Sequence, residues 1–181
     1  SFNYDANGNL TKKTSEEGMT TYSWDAENRL VRVDLPDGTA AEYAYDPFGR
    51  RIEKKVVDGE GERVTRYLYD NEDILYTYDA EGQIASRFVH GPGIDEPLAL
   101  HQGKNTYYYH ADGLGSVVAL SDERGRVVQD YQYDSFGNLH DRKNRVKQTY
   151  TYTGREYDRE TGLYYYRARY YDAEVGRFIS M

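Results

Sequence analysis

The chain has 181 residues, enough for one domain with a sizeable core, yet only 38% of them are apolar and the formal charge is −8. That charge repels phosphate backbones over the whole surface and argues against a nucleic-acid partner. With no cysteine there are no disulfides, zinc–thiolate sites or cysteine nucleophiles, and no apolar run approaches the ~20 residues of a membrane-spanning helix.

Tyrosine supplies much of the apolar area, with 21 residues against five Phe and one Trp. A ring that buries well but keeps a hydroxyl in need of a partner suits half-buried strands, which predicts an all-β fold. From the N-terminus, YDANGNL at Tyr4–Leu10 returns as WDAENRL, YDPFGRR, YDAEGQI, YDSFGNL and YDAEVGRF. Its Asp recurs at Asp5, Asp25, Asp46 and Asp70, and then less regularly at Asp79, Asp122, Asp134, Asp158 and Asp172. Such a repeat is repeated chemistry, a repeated metal loop or a repeated turn.

Aromatic residues alternate before each Asp, as Tyr22 and Trp24, Tyr43 and Tyr45, Tyr67 and Tyr69, or Tyr131 and Tyr133, and alternation resumes after it. A period of two places each motif between strands. Asp followed three residues later by a residue tolerant of positive φ specifies a type I turn running into a bulged hairpin. Asp5 with Gly8, Asp25 with Asn28, Asp46 with Gly49, Asp79 with Gly82, Asp122 with Gly125 and Asp134 with Gly137 fit. Asp158 and Asp172 have their glycines one residue later, at Gly162 and Gly176, and predict longer loops. Glu16–Gly18, Pro36–Gly38 and Asp58–Gly61 mark the opposite hairpin ends. The expected architecture is an antiparallel hairpin meander: repeats over 1–88, an irregular connection over 89–103 around Gly91-Pro92-Gly93, and a specialised region over 104–181.

Competing chemical readings are weaker. Asp5, Asn7 and Asn9 begin like a calcium loop, but the glycine falls at position four and no Glu closes position twelve. His90, His101, His110 and His140 share no ligand spacing, so neither a metal nor a cofactor is expected. Ser116 lacks the second glycine of a nucleophile elbow and reads as part of a turn. The basic run Arg142–Lys147 reads as a solvated loop. Two Asp residues brought together could share a proton and activate water, and exposed tyrosines could stack on sugars as a surface adhesin does, but turn-forming Asp and packed Tyr are the plainer readings.

YDANGNLTKK, YDPFGRRIEKK and YDSFGNL resemble the tyrosine-aspartate repeats of bacterial Rhs proteins, the C component of Tc toxins and teneurin shells. Tyr107–Ser116 is similar to the YYHxDxLGS element of that family, and Thr153–Asp172 with Gly176–Ser180 to its Rhs-associated core signature. The resemblance implies a sheet spiralling into a hollow β-shell around a C-terminal toxin cargo, in a secreted or cell-surface protein. It also implies a core that plugs the shell and acts as an aspartyl autoprotease, for which Asp158, Asp172 and Arg155 are the candidates. The family continues through an Asp-Pro segment to a cleavage site, whereas the sequence stops at Met181. The expectation is therefore a section of a longer protein that is itself inert, partnered by cargo and neighbouring repeats, with self-association through open sheet edges.

Overall fold

The computed structural model describes residues 1–140 and 145–181, so the basic run Arg142–Lys147 lies partly outside the described residues. Thirteen strands form one antiparallel sheet in sequential order, with β1 and β13 at its edges. They are β1 (Phe2–Tyr4), β2 (Leu10–Ser15), β3 (Gly18–Trp24), β4 (Leu30–Asp34), β5 (Ala40–Tyr45), β6 (Arg51–Asp58), β7 (Gly61–Asp70), β8 (Asp73–Tyr78), β9 (Ile84–His90), β10 (Pro97–Gln102), β11 (Asn105–Ala111), β12 (Val117–Asp122) and β13 (Val127–Asp130). A smaller sheet follows, ordered β14 (Glu156–Asp158), β15 (Leu163–Tyr166), β16 (Arg169–Asp172) and β17 (Arg177–Phe178). Residues 89–103 contribute the end of β9, a loop and β10, and the large sheet runs through them.

The repeated Asp builds its turn twice over. At Asp46 the Gly49 N–H donates to the backbone carbonyl of Asp46, and the Asp46 N–H donates to the Arg50 carbonyl. The carboxylate Oδ1 accepts from the Phe48 and Arg50 N–H groups at 2.9 and 3.0 Å, while Oδ2 takes Arg50 Nε at 2.7 Å. Asp5, Asp25, Asp122 and Asp134 repeat this arrangement with Asn9, Arg29, Arg126 and Asn138 as the closing side chain. Asp112 forms the same turn, ending at Ser116. At Leu35–Thr39 the backbone pattern recurs without the leading Asp, and Asp37 caps Thr39 instead. Asp70 differs: it pairs directly with Asp73 across a two-residue turn in which Asn71 has φ 52°.

Beside these turns the ladder carries a bulge, between Ser23 and Trp24, Ala44 and Tyr45, or Leu68 and Tyr69. A bulge leaves backbone groups without ladder partners and sharpens the local twist. The aromatic residue before the turn supplies the missing partner. Trp24 Nε1 donates to the Leu10 carbonyl at 2.7 Å, Tyr45 to Leu30 at 2.6 Å, Tyr69 to Arg51 at 2.9 Å and Tyr133 to Val117 at 2.6 Å. Each acceptor is the first strand residue after the preceding turn, so each aromatic forms a rung to the hairpin before it. Replacing Tyr69 by Phe leaves the Arg51 carbonyl unpaired in a half-buried site and is expected to cost about 1–2 kcal/mol in urea unfolding, without altering the m-value.

One face of the large sheet buries Tyr22, Leu30, Val33, Ala41, Tyr43 and Val56 against Leu163, Tyr165, Tyr170 and Ile179 of the small sheet and its tail. The same face of later strands buries Tyr67, Ile74, Phe88, Leu100, Val117 and Leu120 against Tyr131, Leu139, Val146 and Tyr150. The region after β13 therefore lies along the inner face and supplies the second layer that a single sheet lacks. The aromatic pairs Tyr22–Trp24, Tyr43–Tyr45 and Tyr67–Tyr69 contribute to this interior, where Tyr22, Tyr43 and Tyr67 are buried.

Candidate functional site

Three backbone groups freed by the bulges reach inward to the second layer. The Leu10 N–H donates to the Ile179 carbonyl at 2.8 Å and the Val117 N–H to the Thr151 carbonyl at 3.0 Å. The Arg51 N–H donates to the Tyr165 hydroxyl at 3.0 Å. The repeat geometry thus presents regularly placed donors, and the C-terminal region is pinned on them.

Arg51 occupies the position after a turn where other hairpins place Leu10, Leu30 and Val117, all buried. Its guanidinium is also fully buried, with Nη1 2.5 Å from Asp158 Oδ2 and Nη2 2.7 Å from Glu156 Oε2. Lys54 reaches the other Asp158 oxygen at 2.8 Å and Glu160 at 2.7 Å. Rings of Tyr165, Tyr67 and Tyr43 stand 4.5, 5.2 and 5.4 Å from the guanidinium carbon, within cation–π range. Two cations from β6 thereby hold two carboxylates of β14, more than a hundred residues away in the chain.

The three candidates for proteolysis are dispersed among separate partners. Asp158 pairs with Leu163 and Leu163 with Asp172, so both carboxylates project from one face of the small sheet. Two strand spacings separate their backbones by about 10 Å. Asp172 is taken by Lys13 at 2.8 Å, which also binds Glu174 at 2.5 Å. Arg155 meets neither Asp; it pairs with Asp95 at 2.6 Å and lies 5.1 Å over Tyr166, while Arg167 joins Asp95 at 3.1 Å. Among the described residues no cluster of three or more His, Cys, Asp or Glu could hold a metal ion. The Asp5 carboxylate is occupied by backbone N–H groups and Asn9.

Burial weighs against the Asp158 charge, but Arg51 and Lys54 outweigh it and hold the carboxyl below the usual aspartate value. Burial dominates at Glu156 and raises its carboxyl against the pull of Arg51. At Lys54 and Lys13 burial opposes the charge, and the facing carboxylates more than offset it, raising both ammonium groups. The signs set a pH profile. An acid raised in the folded state favours folding as it protonates, so its contribution to stability should grow as the pH falls toward the ordinary glutamate value of 4.5. The depressed Asp158 contributes stability above 3.8 that is lost in stronger acid, and raised Lys54 contributes stability below 10.5 that is lost in stronger base. Urea titrations across this range check the profile; in Glu156→Gln the rise in mild acid should shrink to the smaller part contributed by Asp95, whose carboxyl is also raised by burial.

Sequence reasoning reached Asp158 and Asp172 but missed Arg51, Lys54 and Glu156. A signal was available in Arg50-Arg51, where a charged residue replaces the apolar residue that follows other turns.

The Teneurin YD-shell family matches residues 1–181. The "tRNA3(Ser)-specific nuclease WapA" of Bacillus spizizenii is 38% identical over 188 residues, covering 100% of this chain and 8% of that protein. "Toxin protein Tse5" of Pseudomonas aeruginosa is 29% identical over 217 residues, covering 99% of this chain and 16% of that protein. The solved structure of TcdB2-TccC3 superposes with a TM-score of 0.74 at 21% identity, covering 98% of this chain and 10% of that one, and shares the fold. The chain thus spans a small part of these longer relatives. The full-length match, together with a sequential hairpin sheet lined internally by its own C-terminal region, shows that the chain belongs to the Teneurin YD-shell family.

Proposed function

We propose that this chain is a section of a toxin-enclosing shell, and that its C-terminal sheet closes the shell from within. The observation that carries this reading is the anchorage of β14–β17 on the inner face through Arg51, Asp158 and Glu156. The relatives support a scaffold over a catalyst. The segment recurs in proteins named as a tRNA nuclease and as a double-stranded DNA deaminase toxin, two names that describe different chemistries. A part common to different activities is the housing, so we place the catalytic cargo in the remainder of such a protein and read this section as inert. On this reading the whole protein acts outside the cell or on its surface, with cargo and adjoining repeats as partners.

The test uses the whole protein, cargo included, treated with a protease under native conditions. Cargo that resists digestion in the wild type and is digested in Arg51→Met supports enclosure; cargo equally sensitive in both sinks it. A second reading, self-cleavage by Asp158 and Asp172 with Arg155, draws on the two carboxylates sharing one sheet face. Asp158→Asn in the whole protein separates the two readings. Under the first it loosens closure while leaving self-cleavage at the wild-type rate; under the second it abolishes cleavage.

A further inference from the structure

The outward face of the wall carries polar groups that the wall itself leaves unsatisfied. Cross-strand partners share a face, so Tyr76 and Arg87, which pair with each other, lie with exposed Leu68 on the side opposite buried Tyr67 and Phe88. Arg29, Arg32, Arg50, Arg63 and Arg66 of the same sheet and its turns each hold a carboxylate. Among the described residues Arg87 pairs with none, and the Tyr76 hydroxyl has no hydrogen-bond partner.

Both side chains line a cleft of about 380 Å³ beside β8 and β9, within the roughly 300–1,000 Å³ usual for small-molecule sites. Asp70 and Asp73 line it too, and among the described residues neither carboxylate has a Lys or Arg partner. The Asn71 amide reaches one Asp70 oxygen at 3.3 Å. Opposite charges thus face one space without neutralising each other. His90 completes the set, with a side chain only 6% exposed. Its Nε2 donates to the Ile74 carbonyl at 3.0 Å, which leaves Nδ1 an acceptor without a hydrogen-bond partner.

This lining selects a class of ligand. Two carboxylates against one guanidinium repel an anion, and among the described residues no cluster could hold a metal ion. An apolar molecule would strand the polar groups. A pyranose sugar meets each demand. Its hydroxyls donate to Asp70, Asp73 and His90 and accept from Arg87, and its C–H face packs on the electron-rich face of a ring such as Tyr76. Tyr78, with its ring 6.3 Å from that of Tyr76, extends the aromatic surface.

We propose that this cleft is a saccharide-binding site on the outward face of the wall, taking neutral or amine-bearing sugars and refusing acidic ones. It goes beyond enclosure and is independent of it, because neither Arg51 nor any residue of the small sheet lines the cleft.

The test applies the whole protein to an array of neutral hexose, N-acetylhexosamine, hexosamine and uronate oligosaccharides, with spermine as a cation that has no hydroxyls. Binding to a neutral or amine-bearing glycan is expected. It should weaken at least about tenfold in Tyr76→Ala and in the double variant Asp73→Asn, Arg87→Gln. Tyr108→Ala, at an exposed ring outside the cleft, should bind as the wild type does. The double variant nearly preserves side-chain shape and should keep the wild-type melting temperature, so it decides the matter where Tyr76→Ala fails to fold. Binding of no glycan, binding of uronates alone, equal binding by the double variant, or binding of spermine in place of sugars overturns the proposal.

Discussion

Arg51→Met is expected to lose about 3–5 kcal/mol of unfolding free energy, the cost of leaving buried carboxylates without their cation. Asp158 and Glu156 would face the apolar stem of methionine and the rings of Tyr165 and Tyr67. Lys54 would still neutralise one Asp158 oxygen, which keeps the loss finite. At ~2–4 °C per kcal/mol for a chain of this size, the melting temperature should fall by ~6–20 °C. The triple variant Arg51→Met, Glu156→Gln, Asp158→Asn removes the stranded charges and should recover much of the loss. If the triple variant is no more stable than the single one, the penalty lies in packing and the charge argument fails.

The second large effect is expected at Gly154, which has φ 67° in the short turn Tyr152–Gly154. A Cβ there would stand 2.5 Å from the Asp95 backbone carbonyl, so the 91–96 loop must retreat, taking with it the Asp95 carboxylate that holds Arg155 and Arg167. The left-handed backbone costs about 1–2 kcal/mol in any L-residue, and the enforced shift adds about 1–3 kcal/mol. Gly38 supplies the control. Its φ is 89°, but nothing lies within 4 Å of its would-be Cβ. Gly38→Ala should therefore show the conformational part alone, about 1–2 kcal/mol. Equal losses at the two positions, measured by urea unfolding, would show that the close approach at Asp95 carries no energy.

Local grammar was readable because it is local. Asp at the start of a turn, Gly or Asn three residues on and alternating aromatics lie within a few residues of one another, and the hairpin meander follows from them. The closing side chain at the fifth turn position, Arg29 or Asn138, was overlooked because either residue also passes as ordinary surface polarity. The rungs went unseen for another reason. Tyr45 reaches Leu30 across fifteen residues through a gap that exists only once a bulge has formed, so strand alternation alone shows a packed ring and hides the hydroxyl's task. The anchor was the least visible. Arg51 and Asp158 are 107 residues apart, and no periodicity connects a turn-following arginine to an acid in a different sheet.

The rungs also have a consequence for how such a wall changes length. Each aromatic reaches back by one hairpin, while the inward N–H groups of Leu10, Arg51 and Val117 grip fixed points of the inner layer. The wall behaves like a ratchet with an index mark. Whole hairpins added ahead of β1 would extend it tooth by tooth and leave the index untouched. A hairpin inserted between β2 and β12 would carry Arg51 or Val117 away from its mate, so growth there requires a matching change in the inner layer.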